Sequence, residues 1–554
     1  MRDEMGNALQ NVNIMLHSTG YVYHSGTTGA FGIVTARQFD SLTFYADGYQ
    51  KHTATASATG FISVVLKRAA ATKNTLGFKL SSFTKDLKRD VQQQWFTGEE
   101  TYASLVENHF IPAGEYPTTG VSLNIDRASY SNIRRFISMN TRVPPDAVRI
   151  EEMLNYFNLA YSEPDSGNTF GIQTVLTGCP WNRKNQLLFT SVKSKKVELD
   201  SLPPSHLVFL IDVSGSMDMP NRLPLLKAGF RGLVNTLREK DTVSIVVYGG
   251  VTGVMLPATS GSEKEKIFKT IDSLSPGGST PGESGVKLAY SVARNHFIKG
   301  GNNRVVLATD GDFNVGLKTD EELEALITAQ RESGIYLTCL GVGMGNYKDS
   351  KIQTLAQKGN GNFAYIDSYA EAEKVLLKEF TQTMYAVADD VYLNTKFNPA
   401  FVKAYRVIGF DNKAGAIKDT TAVVEGGEVG SAYHLQVVFE IEPATGDTTS
   451  LQKPVSFSLQ YKLPGTKEQQ EMVAEPAVQY QPWEALPHEY RFAGTVALFG
   501  SLLRASEYTR HISWNEMLEM ATRYSNPQDK TQQEFVTLVQ QAKWLYAKRK
   551  RRKE

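Results

Sequence analysis

Continuous apolar runs in the middle of the chain have the pattern of buried strands. They cover residues 206–211, 243–248, 304–307 and 335–340. Runs that are apolar on both faces are typical of parallel strands covered by helices on both sides. Helical stretches lie between them, for example residues 225–238 and 283–296. The alternation predicts an α/β domain over residues 201–385, with a doubly wound and mostly parallel sheet.

The pattern changes after this domain. Strand-like segments separated by Pro and Gly predict a β-sandwich-like region over residues 386–482. Residues 483–554 form a predicted helical segment, in which Phe492, Val496, Phe499 and Leu503 recur at helical spacing and are expected to lie in a core. The segment ends in the basic tail KRKRRKE, which is interpreted as a solvated helix end.

The beginning of the chain has short strands and Gly-rich turns. Residues 1–70 are predicted to form a small β-sandwich, and residues 71–114, which lack a clear periodicity, are predicted to be a linker. Only Met1 and Arg2 precede the first predicted turn, so one edge of the sandwich would lack a neighbouring strand. We expect an upstream strand, with an export signal or lipid anchor, to be missing from this sequence.

Composition narrows the classes of function. The 554 residues are enough for several domains, and 59 basic against 58 acidic residues give no global attraction to nucleic acid or to an anionic membrane surface. Two cysteines cannot form a disulfide framework. No signal peptide or membrane-spanning run is visible in the sequence.

The most informative residues carry oxygen donors and follow the predicted strands. They are Asp212, Ser214 and Ser216 in LVFLIDVSGSM, Thr280 in PGGSTPG and Asp310 in VVLATDGD. Oxygen ligands suit Mg²⁺, Mn²⁺ or Ca²⁺, and ligands of doubly wound sheets gather at the carboxyl ends of the strands. Each residue taken alone could equally be a turn or a helix cap. Taken together, they predict one metal site.

The same residues do not match the common sequence motifs of enzymes. The sequence has no G-x-S-x-G elbow at Ser214 or Ser216, no phosphate-binding G-x-x-x-x-G-K-[ST] loop and no H-E-x-x-H or C-x-x-C pair. In LGVGMGN, the third glycine of Gly341, Gly343 and Gly345 comes one position too early for a dinucleotide fingerprint. These observations indicate a protein that binds and does not catalyse.

The combination of DVSGSM, GGST and ATDGD resembles the metal-ion-dependent adhesion site of von Willebrand factor type A domains, whose fold is Rossmann-like. The resemblance implies that Ser214, Ser216 and Thr280 contact the metal directly, whereas Asp212 and Asp310 hold it through water. Residues 1–70 resemble the carboxypeptidase-regulatory-like modules of bacterial envelope proteins.

Residues 115–200 resemble the N-terminal segment of bacterial YfbK-like von Willebrand factor A proteins. The matching elements are DRASY, RR, PP, VRIEE and NYF, and later segments such as FNP, AYR, GEVG, RFA and EFV extend the likeness. Within it, Ser129 or Ser131 is expected to cap a first helix, and Pro145 with Asp146 to open a second. Its arginines and glutamates could form a binding patch, but a network that ties this segment to the neighbouring domain is favoured.

The resemblances imply a cation-dependent, adhesion-type protein of the bacterial cell envelope, periplasmic or exposed at the surface. A protein ligand would complete the coordination of Mg²⁺, or of Mn²⁺ or Ca²⁺, with an Asp or Glu. Three alternatives remain: an assembly or chaperone adaptor working with an AAA ATPase, a metal-assisted hydrolase, and a structural role with an empty metal site. The hydrolase would need a general base, and His206 lies at the wrong end of its strand.

Overall fold

The computed structural model describes residues 1–67 and 100–547, with gaps at 5, 11, 20–21, 34, 36, 47–48, 101, 103, 124, 160, 166, 251, 279–281, 312–319, 344–348, 411–426 and 445–452. The chain divides into two compact units, Met1–Gly77 and Phe78–Glu554. Thr280, Gly345, the linker prediction for residues 71–99 and the basic tail from residue 548 lie outside the described residues.

The first unit consists of short strands. They are β1 (Arg2–Asp3), β2 (Asn13–Leu16), β3 (Val22–His24), β4 (Phe39–Tyr45), β5 (His52–Ser57) and β6 (Val65–Leu66). Four of them form an antiparallel sheet in the order β3-β2-β4-β5, and β1 pairs with β6 in parallel. Alternate residues of β2 and β4 point into its core, among them Ile14, Leu16 and Phe44. The missing upstream strand and the carboxypeptidase-regulatory-like resemblance stay predictions.

The second unit begins with elements that precede the α/β domain. They are β7 (Ile111–Pro112), β8 (Thr118–Ser122), α1 (Ala128–Ser138), α2 (Ile150–Tyr156), β9 (Phe170–Cys179) and β10 (Asn182–Ser194). The predicted cap of α1 is wrong because the helix begins before Ser129, whose hydroxyl donates to the Ala147 carbonyl and accepts from Arg149 N–H. Pro145–Ala147 forms only a 3₁₀ turn, and α2 begins at Ile150.

Residues 100–114 differ from the predicted linker because the described part of this segment is packed. The buried Glu100 carboxylate accepts two hydrogen bonds from Arg135, at 2.7 and 2.8 Å. The buried Asn108 side chain donates to the carbonyls of Val407, Gly409 and Phe410. Both contacts lie far away along the chain, so hydrophobic periodicity gave no sign of them.

The α/β domain follows. Its elements are β11 (Ser205–Asp212), α3 (Leu223–Thr236), β12 (Thr242–Tyr248), β13 (Gly253–Ser260), α4 (Lys264–Ser273), α5 (Gly282–Asn295), β14 (Asn302–Thr309), α6 (Asp320–Glu332), β15 (Ile335–Val342), α7 (Asp349–Lys358) and β16 (Phe363–Ile366). The strand order is β13-β12-β11-β14-β15-β16, and every pairing except β12 with β13 is parallel. Residues on alternate sides of β11, such as Phe209 and Val208, enter separate helix-covered cores. The predicted doubly wound α/β fold is confirmed.

The remaining elements complete the chain. They are α8 (Tyr369–Glu373), α9 (Phe380–Met384), β17 (Ala386–Phe397), β18 (Val402–Ile408), β19 (Gly427–Gly430), β20 (His434–Pro443), β21 (Val455–Lys462), β22 (Gln469–Ala474), β23 (Tyr480–Gln481), α10 (His488–Leu503), α11 (Trp514–Tyr524) and α12 (Lys530–Ala547). In the part of the chain that the structure describes, no helix is long and apolar enough to cross a membrane.

Strands from both sides of the α/β domain share the same sheets. One sheet has the order β23-β9-β10-β20-β18-β7, and the other has the order β19-β17-β21-β22 with β8 also paired to β17. Phe189 of β10 stands opposite Val438 of β20. The regions predicted separately as residues 115–200 and 386–482 therefore meet in one β-sandwich, into which the α/β domain is inserted.

The C-terminal helices pack on α1 and α2. Phe492 of α10 and Phe535 of α12 meet edge to face, with ring centroids 5.4 Å apart, and Phe157 lies 4.9 Å from Phe492. All three rings are buried. This confirms that the aromatic positions of the C-terminal segment belong to a core.

Arg134 of α1 connects three parts of the second unit. Its guanidinium donates to Asp367 and Glu371, at 2.7 Å each, beside the α/β domain, and to Glu534 of α12 at 2.8 Å. The buried Tyr156 hydroxyl of α2 also donates to Glu371, at 2.6 Å. The prediction of a network that ties this segment to its neighbouring domain is confirmed.

Candidate metal site

Two carboxylates lie at the carboxyl edge of the α/β sheet. Asp212 is the last residue of β11, and Asp310 directly follows β14. These strands are parallel neighbours, with Ile211 opposite Ala308. Sequence order reverses here, since β12 lies on one side of β11 and β14 on the other. A crevice at such a switch point is where open α/β sheets bind ligands.

Asp212 is a buried carboxylate that holds the first metal-site loop. Its Oδ1 accepts a hydrogen bond from Ser214 N–H at 2.8 Å, and its Oδ2 accepts from Tyr248 OH at 3.1 Å and Thr309 Oγ1 at 3.2 Å. Burial raises the pKa of the Asp212 carboxyl, hydrogen bonds from Ser214 and Tyr248 lower it, and the charge of Asp310 raises it further. The sequence did not indicate Tyr248 or Thr309 as partners.

Backbone hydrogen bonds join the loops around the site. Val213 N–H donates to the Tyr248 carbonyl at 2.8 Å, and Gly277 N–H donates to the Val213 carbonyl at 2.7 Å. Gly215 N–H donates to the Gly278 carbonyl at 3.1 Å. The loop that leads to residue 280 is thus fixed beside the loop that carries Ser214 and Ser216. Thr280 itself lies outside the described residues.

Gly249 allows the close approach of two of these loops. Its φ is +115°, in the region that favours glycine, and a Cβ at this position would overlap the Ser214 backbone nitrogen. A side chain there would therefore displace the backbone that presents the two serine hydroxyls.

The hydroxyls of Ser214 and Ser216 lie within hydrogen-bond distance of each other. Their Oγ atoms lie 3.0 Å apart at the surface end of the site. Two ligands at 90° around an ion with bonds of about 2.1 Å, as Mg²⁺ prefers, are separated by about 3.0 Å. Ser216 is exposed and Ser214 half-buried, so the pair faces solvent above Asp212. Within the described residues, no group of three or more His, Cys, Asp or Glu side chains is placed to hold a metal.

Arg222 adds a positive charge that the sequence motifs did not reveal. Its Nη1 donates to Asp310 Oδ2 at 2.7 Å and to the backbone carbonyl of Ser216. Arg222 is the residue that precedes α3, and its side chain folds back over the loop before the helix. The site therefore contains, within the described residues, two carboxylates, two serine hydroxyls, the Tyr248 and Thr309 hydroxyls that donate to Asp212, and one guanidinium.

His206 lies at the opposite end of β11 from Asp212. Its Nε2 contacts Ser244 Oγ at 3.1 Å. Burial, with a contribution from His296, lowers the pKa of His206 to about 4. Six residues of strand span about 20 Å, so this imidazole is too far from Asp212 to serve as a base there.

Three family models match successive parts of the chain. The model described as "von Willebrand factor" matches residues 96–189, and the model described as "von Willebrand factor type A domain" matches residues 206–382. The model described as "Uncharacterized protein YfbK, C-terminal" matches residues 382–545.

Several individual proteins are similar to this chain. The uncharacterized protein YfbK of Escherichia coli K12 is 37% identical over 474 residues, which cover 80% of this chain and 81% of that protein. The magnesium-chelatase 67 kDa subunit of Chlorobaculum tepidum is 26% identical over 244 residues, 39% of each chain. Among solved structures, a von Willebrand factor type A protein from Catenulispora acidiphila is 13% identical, has a TM-score of 0.40 and covers 65% of this chain and 88% of its own.

Proposed function

The chain belongs to the YfbK-like family of von Willebrand factor type A proteins, and we propose that it binds other proteins through a divalent cation at the bacterial cell envelope. Ser214 and Ser216 would hold Mg²⁺ directly, and Asp212 and Asp310 would hold it through water. Thr280 stays a predicted ligand. An Asp or Glu of the partner would fill the remaining position, since Mg²⁺ keeps open or water-filled places in its shell. Mn²⁺ and Ca²⁺ are the alternative ions.

One observation carries this proposal. The serine hydroxyls are 3.0 Å apart and lie on a loop that the buried Asp212 fixes through the Ser214 N–H. A site fixed in this way is ready to bind a cation without reordering the loop. A carboxylate that meets the bound ion would give specificity, because a neutral side chain cannot replace its charge.

Titration of Mg²⁺ and Mn²⁺ by isothermal calorimetry tests the metal site. We expect the wild type to bind one ion and Ser214→Ala to bind at least about tenfold more weakly, a change of about 1.4 kcal/mol. Ser262→Ala is the matched control because Ser262 also faces a serine, Ser260, at 2.9 Å, but beside the start of β12. Absence of binding by the wild type would contradict the proposal.

Recovery of partners from envelope extract tests the protein-binding role. The full chain is immobilised with Mg²⁺ or with EDTA, and Ser214→Ala and Ser262→Ala serve as matched baits. We expect a partner that the wild type and Ser262→Ala retain only with Mg²⁺ and that Ser214→Ala does not retain. A partner that EDTA leaves in place would contradict a metal-bridged contact.

The proposed envelope location rests on the resemblance of residues 1–70 to modules of envelope proteins. Fractionating cells and detecting the protein in each fraction tests this location.

The second candidate is an assembly or chaperone adaptor working with an AAA ATPase. The observation that favours it is the similarity over 244 residues to a protein named as a subunit of a magnesium chelatase. The same recovery experiment distinguishes the two roles. An ATPase retained through the metal site would favour the adaptor, and an envelope protein would favour adhesion. Metal-dependent turnover lost in Asp310→Ala would favour the hydrolase alternative.

A further inference from the structure

Hydrogen bonds hold the Arg222 guanidinium in a largely buried position in the proposed metal site. Nη1 donates to Asp310 Oδ2 at 2.7 Å and to the Ser216 carbonyl. The side chain of Arg222 is 11% exposed and that of Asp310 is 3% exposed, so the pair is largely removed from water. It connects the loop after β11 with the loop after β14, the two loops that carry the described metal-site residues.

A third loop, which follows β15, leaves space for the Arg222 side chain at Gly343. Gly343 follows β15 with a φ of +79°, and a Cβ added there would lie 2.5 Å from Arg222 Nε and 3.2 Å from its Cδ. A side chain at Gly343 would therefore displace the Arg222 side chain from this position. The three loops at the carboxyl edge of the sheet thus enclose the guanidinium, unlike a surface arginine that samples many positions.

A guanidinium and a divalent cation would compete for the Asp310 carboxylate. Each is attracted to the carboxylate, and the two cations repel each other at a strength that rises as water is excluded. Ser216 is involved in both interactions, since its carbonyl accepts from Arg222 and its hydroxyl belongs to the proposed metal shell. An ion held by Ser216 and Asp310 would therefore be bound against the charge of Arg222.

We propose that Arg222 is an internal competitor of the metal ion: its guanidinium holds Asp310 Oδ2 and gives this oxygen up to the hydration shell of the ion when the ion binds. The inference rests on the proposed function of the site and adds its regulation. Arg222 then sets the cation concentration at which the site fills. The exchange breaks one ion pair and forms the metal contact, with no covalent step.

The affinity for Mn²⁺, measured by calorimetry on the full chain, tests the competition. Arg222→Gln keeps hydrogen-bonding capacity but removes the charge, and we expect it to bind Mn²⁺ at least about tenfold more tightly than the wild type. Arg222→Lys keeps the charge and should bind within about threefold of the wild type. Arg231→Gln is the matched control, because Arg231 also lies on the α3 segment, pairs with Asp272 at 2.6 Å and is 43% exposed.

Thermal unfolding supplies a second measurement that separates competition from a structural role. In EDTA, Arg222→Gln should unfold at a lower temperature than the wild type, because the buried Asp310 carboxylate has lost its ion pair with the Arg222 guanidinium. With saturating Mn²⁺ this difference should disappear, since the wild type has already released Arg222 and stability and binding are linked. An equal loss with and without metal would mean that Arg222 only supports the fold, and would overturn the inference.

Calorimetry on the wild type and Arg222→Gln distinguishes a failure of the proposed competition from a failure of the proposed metal site. If the wild type binds Mn²⁺ and Arg222→Gln binds no more tightly, the competition is overturned while the proposed metal site stands. If only Arg222→Gln binds, Arg222 blocks the site completely, which supports the competition but contradicts metal binding by the wild type. If neither binds Mn²⁺, the metal site and the competition are both rejected.

Discussion

A buried ion pair joins the inserted α/β domain to the sandwich. Arg304 of β14 donates through Nη2 to Glu428 of β19 and through Nη1 to Thr338 Oγ1 at 2.9 Å. The guanidinium also lies 5.4 Å from the ring centre of Tyr336. Both charged side chains are almost fully buried. Replacing one of them therefore probes how strongly the two domains depend on each other.

Glu428→Ala should lower the free energy of unfolding by about 3–5 kcal/mol, because it leaves the Arg304 charge buried without its carboxylate. Burial raises the pKa of Glu428 to about 7, with Arg304 lowering it and Asp389 raising it. Because of this raised pKa, the folded state keeps the Glu428 carboxyl protonated up to about pH 7. The contribution of Glu428 to the free energy of unfolding therefore declines as the pH rises from about 4.5 through about 7. Measurements at pH 8 therefore report on the ionised pair.

Urea unfolding followed by circular dichroism measures this loss. The control is Glu442→Ala in the same sandwich, where Lys403 and Glu442 lie 3.3 Å apart and are 72% and 35% exposed. That change should cost less than about 1 kcal/mol. Adding Arg304→Met to Glu428→Ala should recover part of the loss, because no buried charge remains. Equal effects of Glu428→Ala and Glu442→Ala, or no recovery, would refute the reasoning.

Three further predictions concern pH, the site loop and the helical network. Burial lowers the pKa of His434 to about 3, so this histidine stays neutral in the folded state and stability should fall as the pH drops from about 6.5 towards 4. His434→Gln should flatten that dependence in urea unfolding, and an unchanged slope would contradict it. Gly249→Ala should weaken Mn²⁺ binding and cost about 1–3 kcal/mol, whereas Gly253→Ala, where a Cβ meets open space, should do neither. Arg134→Ala should lower the melting temperature more than Arg134→Lys does, and equal shifts would show that a positive charge without the guanidinium geometry contributes nothing.

The α/β domain could be predicted from the sequence because its signal is local. A strand covered on both faces is apolar at every position, and the predicted run at residues 206–211 corresponds to β11, Ser205–Asp212. The run at 335–340 likewise corresponds to β15, Ile335–Val342. Since the carboxyl ends of parallel neighbours meet, the closeness of Asp212 and Asp310 also followed from the pattern.

The sandwich and part of the site could not be predicted in the same way. The pairing of Phe189 with Val438 joins strands separated by the whole α/β domain, and a local pattern does not specify a partner so far away. Arg222 contacts Asp310, 88 residues later in the chain, and a local pattern does not specify such a contact. Tyr248 does end a predicted strand, next to β11, so its position was visible although its hydrogen bond to Asp212 was not.

The insertion of the α/β domain has a mechanical consequence. Its first strand begins and its last helix ends at neighbouring points, where Ser205 Oγ donates to Tyr385 OH at 2.8 Å and Asn302 Nδ2 donates to the Met384 carbonyl at 2.7 Å. Asp212 stands about 23 Å away along β11. A pull exerted on the carboxyl edge is therefore transmitted lengthwise through the central strands to a double attachment. Both connections lie at that opposite edge, so they share the load.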